Sequence, residues 1–171
     1  ADSSLNIDDY RANERTFQIL TQVAGRAGRE RLPGKVVIQT YNPDNFAIQC
    51  ASKQNYEEFY EIEIALREQL KYPPFCDIIV IGFNGINEKE IQEISSKMYK
   101  ELQEKLEEFR IFKPMPAPID KIQNRYRYRI IIKGNMTEKA NKELNCILKQ
   151  AYNENLKTTR ISIEINPNNM S

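Results

Sequence analysis

Histidine is absent from this 171-residue chain. That removes the commonest general base and a frequent zinc ligand. Cysteine is scarce: Cys50, Cys76 and Cys146 are odd in number, widely separated and form no Cys-x-x-Cys pair, so no metal site is expected from them. Buried thiols in a reducing cytoplasm are the expectation instead. Charge of one sign is not in excess, with 25 Lys and Arg against 24 Asp and Glu and a net charge of +1. A uniformly basic coat is excluded, and contact with nucleic acid must come from local patches. No apolar run is long enough to cross a membrane, and no segment reads as a signal peptide. The phosphate-binding loop Gly-x-x-x-x-Gly-Lys-Ser/Thr does not occur. Internal repeats, low-complexity segments and any nucleophile–base arrangement for covalent chemistry are also missing.

What is present is an ordinary globular composition, 40% hydrophobic and 29% charged. The length suits one large or two small domains. The most informative stretch runs Gln22-Val-Ala-Gly25-Arg26-Ala-Gly28-Arg29. It follows an apolar helical pattern in Phe17, Leu20 and Ala24, with Ile19 and Val23 beside them. Gly25 and Gly28 leave the backbone uncovered beside each arginine. Two planar, permanently charged forks can then converge on one anion, best a polyphosphate. The plainer alternative is a helix end with two solvated arginines.

This stretch resembles the last motif of the superfamily 2 helicases. In that family the glutamine and both arginines line the nucleotide cleft, and one arginine acts as a finger on the γ-phosphate. Further blocks narrow the resemblance: residues 1–18 upstream, Pro33-Gly34-Lys35-Val36-Val37-Ile38-Gln39-Thr40-Tyr41 and Asn42-Pro43 downstream, then Arg67, Tyr72-Pro73-Pro74-Phe75 and Ile165-Asn166-Pro167 near the end. In that order they look like the C-terminal quarter of the PriA family of primosomal replication-restart DNA helicases. The family usually closes on Asp-Val-Asn-Pro or similar, where this chain has Glu164-Ile165-Asn166-Pro167.

The resemblance implies an ATP-dependent helicase, an ATP hydrolase working with magnesium in the full-length protein. Arg29 is expected as the finger and Arg26 as a second phosphate contact. Gln22, Gly25, Arg26 and Arg29 together would form the cofactor-binding wall. With no initiator methionine and a loop-like start, the chain is expected to be an excised fragment. Its P-loop and any zinc-binding segment would lie upstream, leaving this piece inactive alone and without a metal of its own. Forked or single-stranded DNA, the acidic tail of the single-stranded DNA-binding protein and other primosome proteins are the implied partners; no membrane is.

The pattern predicts an α/β protein in three parts. Residues 1–46 read as a helix over 11–26, a charged loop over 29–34 and a strand over 35–41, which the resemblance implies are the end of the second RecA-like helicase lobe. Val36 to Thr40 are β-rich and nearly continuous in apolar character, as in a covered parallel sheet. Residues 47–74 read as a helical connector, with Tyr56, Phe59, Ile62, Leu66 and Leu70 at helical spacing, closed by the Tyr72-Pro73-Pro74 corner. That corner is expected to pack Phe75 into the core. Residues 75–171 read as a split β-α-β-β-α-β domain, ferredoxin-like or similar. Its elements are a strand over 78–83, a helix over 88–109, a proline-broken edge strand over 112–122, strands over 126–133 and 160–165, and a helix over 137–152. Residues 160–165 alternate, with Ile161, Ile163 and Ile165 on one side.

The second chemical feature is Arg125-Tyr126-Arg127-Tyr128-Arg129. On a strand, Arg125, Arg127 and Arg129 share one face about 7 Å apart, and the tyrosines share the other with Ile130 and Ile132. Three like charges in a row want an anion, whether nucleic-acid phosphate or an acidic peptide. The arginine strand resembles part of the family's site for the acidic tail. A solvated face balanced by Glu164 is the alternative. Asp2, Asp8 and Asp9 lack metal-ligand spacing and read as solvated loop carboxylates. A free-standing nucleic-acid-binding or replication-protein interaction module is the rival function, but Tyr126 to Ile132 lack the glycines and phenylalanines of an RNA-binding strand.

Overall fold

A computed structural model describes Leu5 and residues 9–27, 35–153, 156 and 158–168. The chain divides into two compact units, Ala1–Leu70 and Lys71–Ser171. The first holds α1 (Ala12–Ala27), α2 (Phe46–Ser52) and α3 (Tyr56–Leu70). Each start is tied down by a short polar side chain, as orphan N–H groups require. Asp9 Oδ1 accepts from the Arg11 N–H, Asn45 Oδ1 from Ala47 and Asn55 Oδ1 from Glu58. Phe17 of α1 stacks on Phe59 of α3 with ring centroids 4.2 Å apart. Ala47, Cys50 and Ala51 of α2 are small enough to close against that pair.

Several expectations for this unit need correction. The connector is two helices, because Gln54 takes a left-handed φ of 51° between them. Residues 35–41 form no strand. A parallel strand needs neighbours on its edges, and no strand among the described residues pairs with this segment. Val37 is 81% exposed and Tyr41 97%. Asp9 is not a solvated carboxylate but a buried one, 3.1 Å from Arg15.

The second unit runs β1 (Asp77–Gly85), α4 (Glu88–Lys105), β2 (Arg110–Ile111), β3 (Met115–Ile122), β4 (Arg125–Gly134), α5 (Glu138–Asn153) and β5 (Arg160–Ile165). All strand pairings are antiparallel, in the order β2-β4-β1-β5, with β3 also on β4. Short β2 and longer β3 share one edge of β4, so the β-α-β-β-α-β order holds with its second strand broken at Pro114. Asn87 caps α4 and Thr137 caps α5. A two-residue turn at Gln123 and Asn124, both at positive φ, joins β3 to β4. The core lies between one sheet face and the two helices: Ile79, Ile81, Phe83, Ile130 and Ile132 against Ile91, Leu102, Leu144 and Ile147.

Three details differ from expectation here, and the uneven burial along β5 adds a fourth observation. α4 stops at Lys105, where Leu106 leaves helical geometry and its N–H closes on the Leu102 carbonyl. Phe75 is 38% exposed; the corner instead places the Tyr72 ring under the Lys133 ammonium at 3.6 Å. Ile163 and Ile165 are exposed although Ile161 is buried, because β5 is an edge strand that the helices cover only in part. Cys146 is exposed on α5, outside the inner stripe of Ala140, Leu144, Ile147 and Leu148.

Candidate functional site

The first candidate site is the C-terminal end of α1. Gln22 and Arg26 are four residues apart, hence neighbours on one helix face. Both are exposed, as is Gly25, and nothing among the described residues lies within 4 Å of where a Gly25 side chain would begin. Arg26 in the last turn also suits the negative end of the helix dipole. Gly28 and Arg29 lie outside the described residues. The arrangement offers an amide and a guanidinium pointing the same way from a rigid element. It can form one wall of an anion site and no more.

The second candidate is the sheet face away from the helices. β4 alternates as the sequence predicts: Ile130 and Ile132 are in the core, with Tyr126 and Tyr128 packed against it. The Tyr128 hydroxyl donates to Glu88 Oε1 and accepts from Gln92 Nε2, both at 2.9 Å. On the opposite face the three arginines have different environments. Arg125 is held by its own fold, donating from Nε to Asn84 Oδ1 and from one terminal nitrogen to the Asn84 and Thr158 carbonyls at 3.2 and 3.3 Å. Arg129 is only 5% exposed. Arg127 reaches the Ile119 carbonyl at 3.4 Å and is the most accessible in chemical terms, since that bond is long and exposed.

A groove of about 150 Å³ opens beside Arg127 and Arg129, with Gly82 in its floor and Ser162 and Glu164 on its far wall. A Cβ at Gly82 would stand 2.6 Å from Ser162 Oγ, so a larger residue there would make that hydroxyl turn away. The register places Arg160 beyond Asn84 in the same row as Arg127. Sequence reasoning missed Asn84, Arg160 and Gly82; only the pairing of β1 between β4 and β5 brings them to this face. Glu164 was the one acidic neighbour expected, and it lines the groove.

Among the described residues no group of three or more His, Cys, Asp or Glu is arranged to hold a metal ion. No helix is long and apolar enough to cross a membrane.

Comparison with known proteins now adds to this geometry. Residues 68–168 match the profile of the primosomal protein N C-terminal domain. The chain is 37% identical over 169 residues to the replication restart protein PriA of Bacillus subtilis, covering 98% of this chain and 21% of that protein. It is 41% identical over 145 residues to PriA of Chlamydia pneumoniae, covering 84% and 19%. With PriA of Synechocystis it shares 43% over 136 residues, covering 78% and 16%. It thus spans about a fifth of the length of these relatives. The chain belongs to the primosomal protein N C-terminal domain family, and it matches the C-terminal region of the PriA replication restart proteins.

Proposed function

We propose that this chain is the last part of an ATP-dependent DNA helicase that restarts replication at stalled forks. Residues 1–46 end its second RecA-like lobe, 47–74 connect, and 75–171 form its C-terminal domain. The observation that carries the reading is α1. Its C-terminal turns present Gln22 and Arg26 to solvent, and Ile19 and Val23 on the same helix are 50% and 52% exposed. An apolar second face on a helix already packed on one side is what a larger lobe would cover. The same holds for the exposed, unladdered Val36 and Val37.

In this mechanism ATP and its magnesium supply the chemical energy, and most of their ligands belong to an upstream lobe. Residues of this chain complete the far wall. Arg29 would supply its planar fork to the γ-phosphate and stabilise the charge that develops there, Arg26 would make a second phosphate contact, and Gln22 would link occupancy to closure of the cleft. Opening and closing would move the lobes along single-stranded DNA. Zinc, where used, is held upstream.

The outer face of the C-terminal domain contributes binding. Arg127, with Arg160 in its row, faces DNA phosphate or the acidic tail of the single-stranded DNA-binding protein, in the cytoplasm and among other primosome proteins. A stand-alone nucleic-acid or replication-protein interaction module is the second reading, favoured only by the closed β-α-β-β-α-β unit. Isothermal titration of the 171-residue chain with magnesium-ATP separates the two. The helicase reading expects no hydrolysis and no low-micromolar binding by the fragment, and both from a chain extended upstream. An extended chain that is equally inert overturns it.

A further inference from the structure

Among the described residues β5 is the outermost strand, with β1 on its inner side only. Its register with β1 runs without a shift from Ile79↔Ile165 to Asn84↔Arg160. Just beyond, the Asn166 N–H donates to the Ile78 carbonyl at 2.7 Å. Backbone groups on an antiparallel strand alternate between its two sides. Arg160, Ser162 and Glu164 therefore bond inward to β1, while Ile161, Ile163 and Ile165 turn their N–H and C=O to the open edge. The Tyr152 hydroxyl, which donates to the Ile161 carbonyl at 2.8 Å, confirms that direction. Of the usual protections of an edge, this strand has no proline, no lysine and no bulge; Arg160 and Glu164 are its charges, and the Tyr152 hydroxyl covers one carbonyl.

The side chains of this edge are self-complementary. We propose that two copies of the chain pair through β5, antiparallel about a two-fold axis at Ser162. In that register Ile161 of one copy faces Ile163 of the other, and each such pair exchanges both backbone hydrogen bonds from groups already turned outward. Arg160 falls opposite Glu164 of the other copy, twice by symmetry, in the closer, non-hydrogen-bonded positions where charge pairs count most. Among the described residues neither side chain has an ion pair or hydrogen bond within its own copy, and both are exposed. On the other face Ile163 and Ile165, 37% and 51% exposed, gain apolar neighbours. Shifting the register by two residues sets Glu164 against Ser162 and loses the charge match. Only one strand's length is joined, so the dimer is weak, with a dissociation constant of about 10 to 1,000 µM. Tyr152 regulates it, because its hydroxyl occupies the Ile161 carbonyl that the second copy needs.

Sedimentation equilibrium of the whole 171-residue chain tests this. Self-association with a single dimer end point is expected. Arg160→Glu and Glu164→Arg should each weaken it about tenfold, and the double exchange should restore it to within about threefold, because the pair is only reversed. Tyr152→Phe should tighten it. Amide exchange at Ile161 and Ile163 should slow as concentration rises, a readout independent of the variants. A chain that stays monomeric throughout that range overturns the proposal. So do single exchanges that leave association unchanged while circular dichroism shows them folded.

Discussion

Arg67 reaches from α3 to Glu14 on α1, its guanidinium 2.9 Å from the carboxylate and its side chain only 14% exposed. Its Nε donates to Glu63 at 2.8 Å, and its plane lies 5.6 Å from the centre of the Tyr10 ring. One side chain thus fixes the N-terminal half of the helix whose other end carries Gln22 and Arg26. Burial works against the cation, but the bonds to Glu63 and Glu14 outweigh it and hold the group above its ordinary value. Arg67→Ala leaves the Glu63 carboxylate buried without its partner and should cost about 2 to 3 kcal/mol in urea unfolding. Arg67→Lys should recover about half or less, because an ammonium cannot bond both carboxylates in one plane.

The outer sheet face should separate into fold and function. Arg127→Gln should weaken binding of single-stranded DNA and lower the salt slope by about 0.7 while leaving stability within about 0.5 kcal/mol. Arg125→Ala should instead destabilise the domain by about 1 to 2 kcal/mol, since its bonds close β1 onto the segment before β5. Fluorescence anisotropy across a salt series and thermal melts, run on both variants, check the split.

Lys133 gives a pH dependence with a definite sign. Burial pushes its ammonium below the ordinary lysine value; nearby Cys76 raises it and Arg110 lowers it further. The native state therefore releases this proton before the unfolded chain does. Between the lowered native value and 10.5 the unfolded state binds more protons, so stability contributed by this site rises with pH there. The wild type should gain on Lys133→Met as pH climbs from about 8 to about 10. Raised by burial, the Cys76 thiol acts in the same direction on this difference, because losing Lys133 lifts it more. Guanidinium unfolding of both proteins at each pH checks the sign.

α1, α3, α4 and α5 were legible because each carries an amphipathic stripe; α2 was not set apart from α3, because the left-handed Gln54 between them leaves no mark in apolar spacing. The order of the second unit was legible for the same reason: apolar runs of strand length alternate with those stripes. Residues 35–41 misled because β-propensity says what suits a sheet, not whether a sheet is beside it. Alternation placed Ile163 and Ile165 on the right face but could not reveal that β5 is an edge. The arginine face was legible as a pattern on one strand. That Arg125 is consumed by Asn84 and Thr158, that Arg129 is buried and that Arg160 joins the row depend on long-range register, which spacing within a strand does not carry.

The account rests most heavily on Arg29, and DNA-stimulated ATP hydrolysis by the chain extended to the length of its relatives tests it directly. An arginine finger is worth about 10³ to 10⁵ in rate. Arg29→Ala should nearly abolish turnover with a small change in nucleotide affinity, and Arg29→Lys should rescue little, lacking the planar fork. Near-normal turnover in either variant would contradict the assignment and leave the arginines of this segment as a solvated helix end.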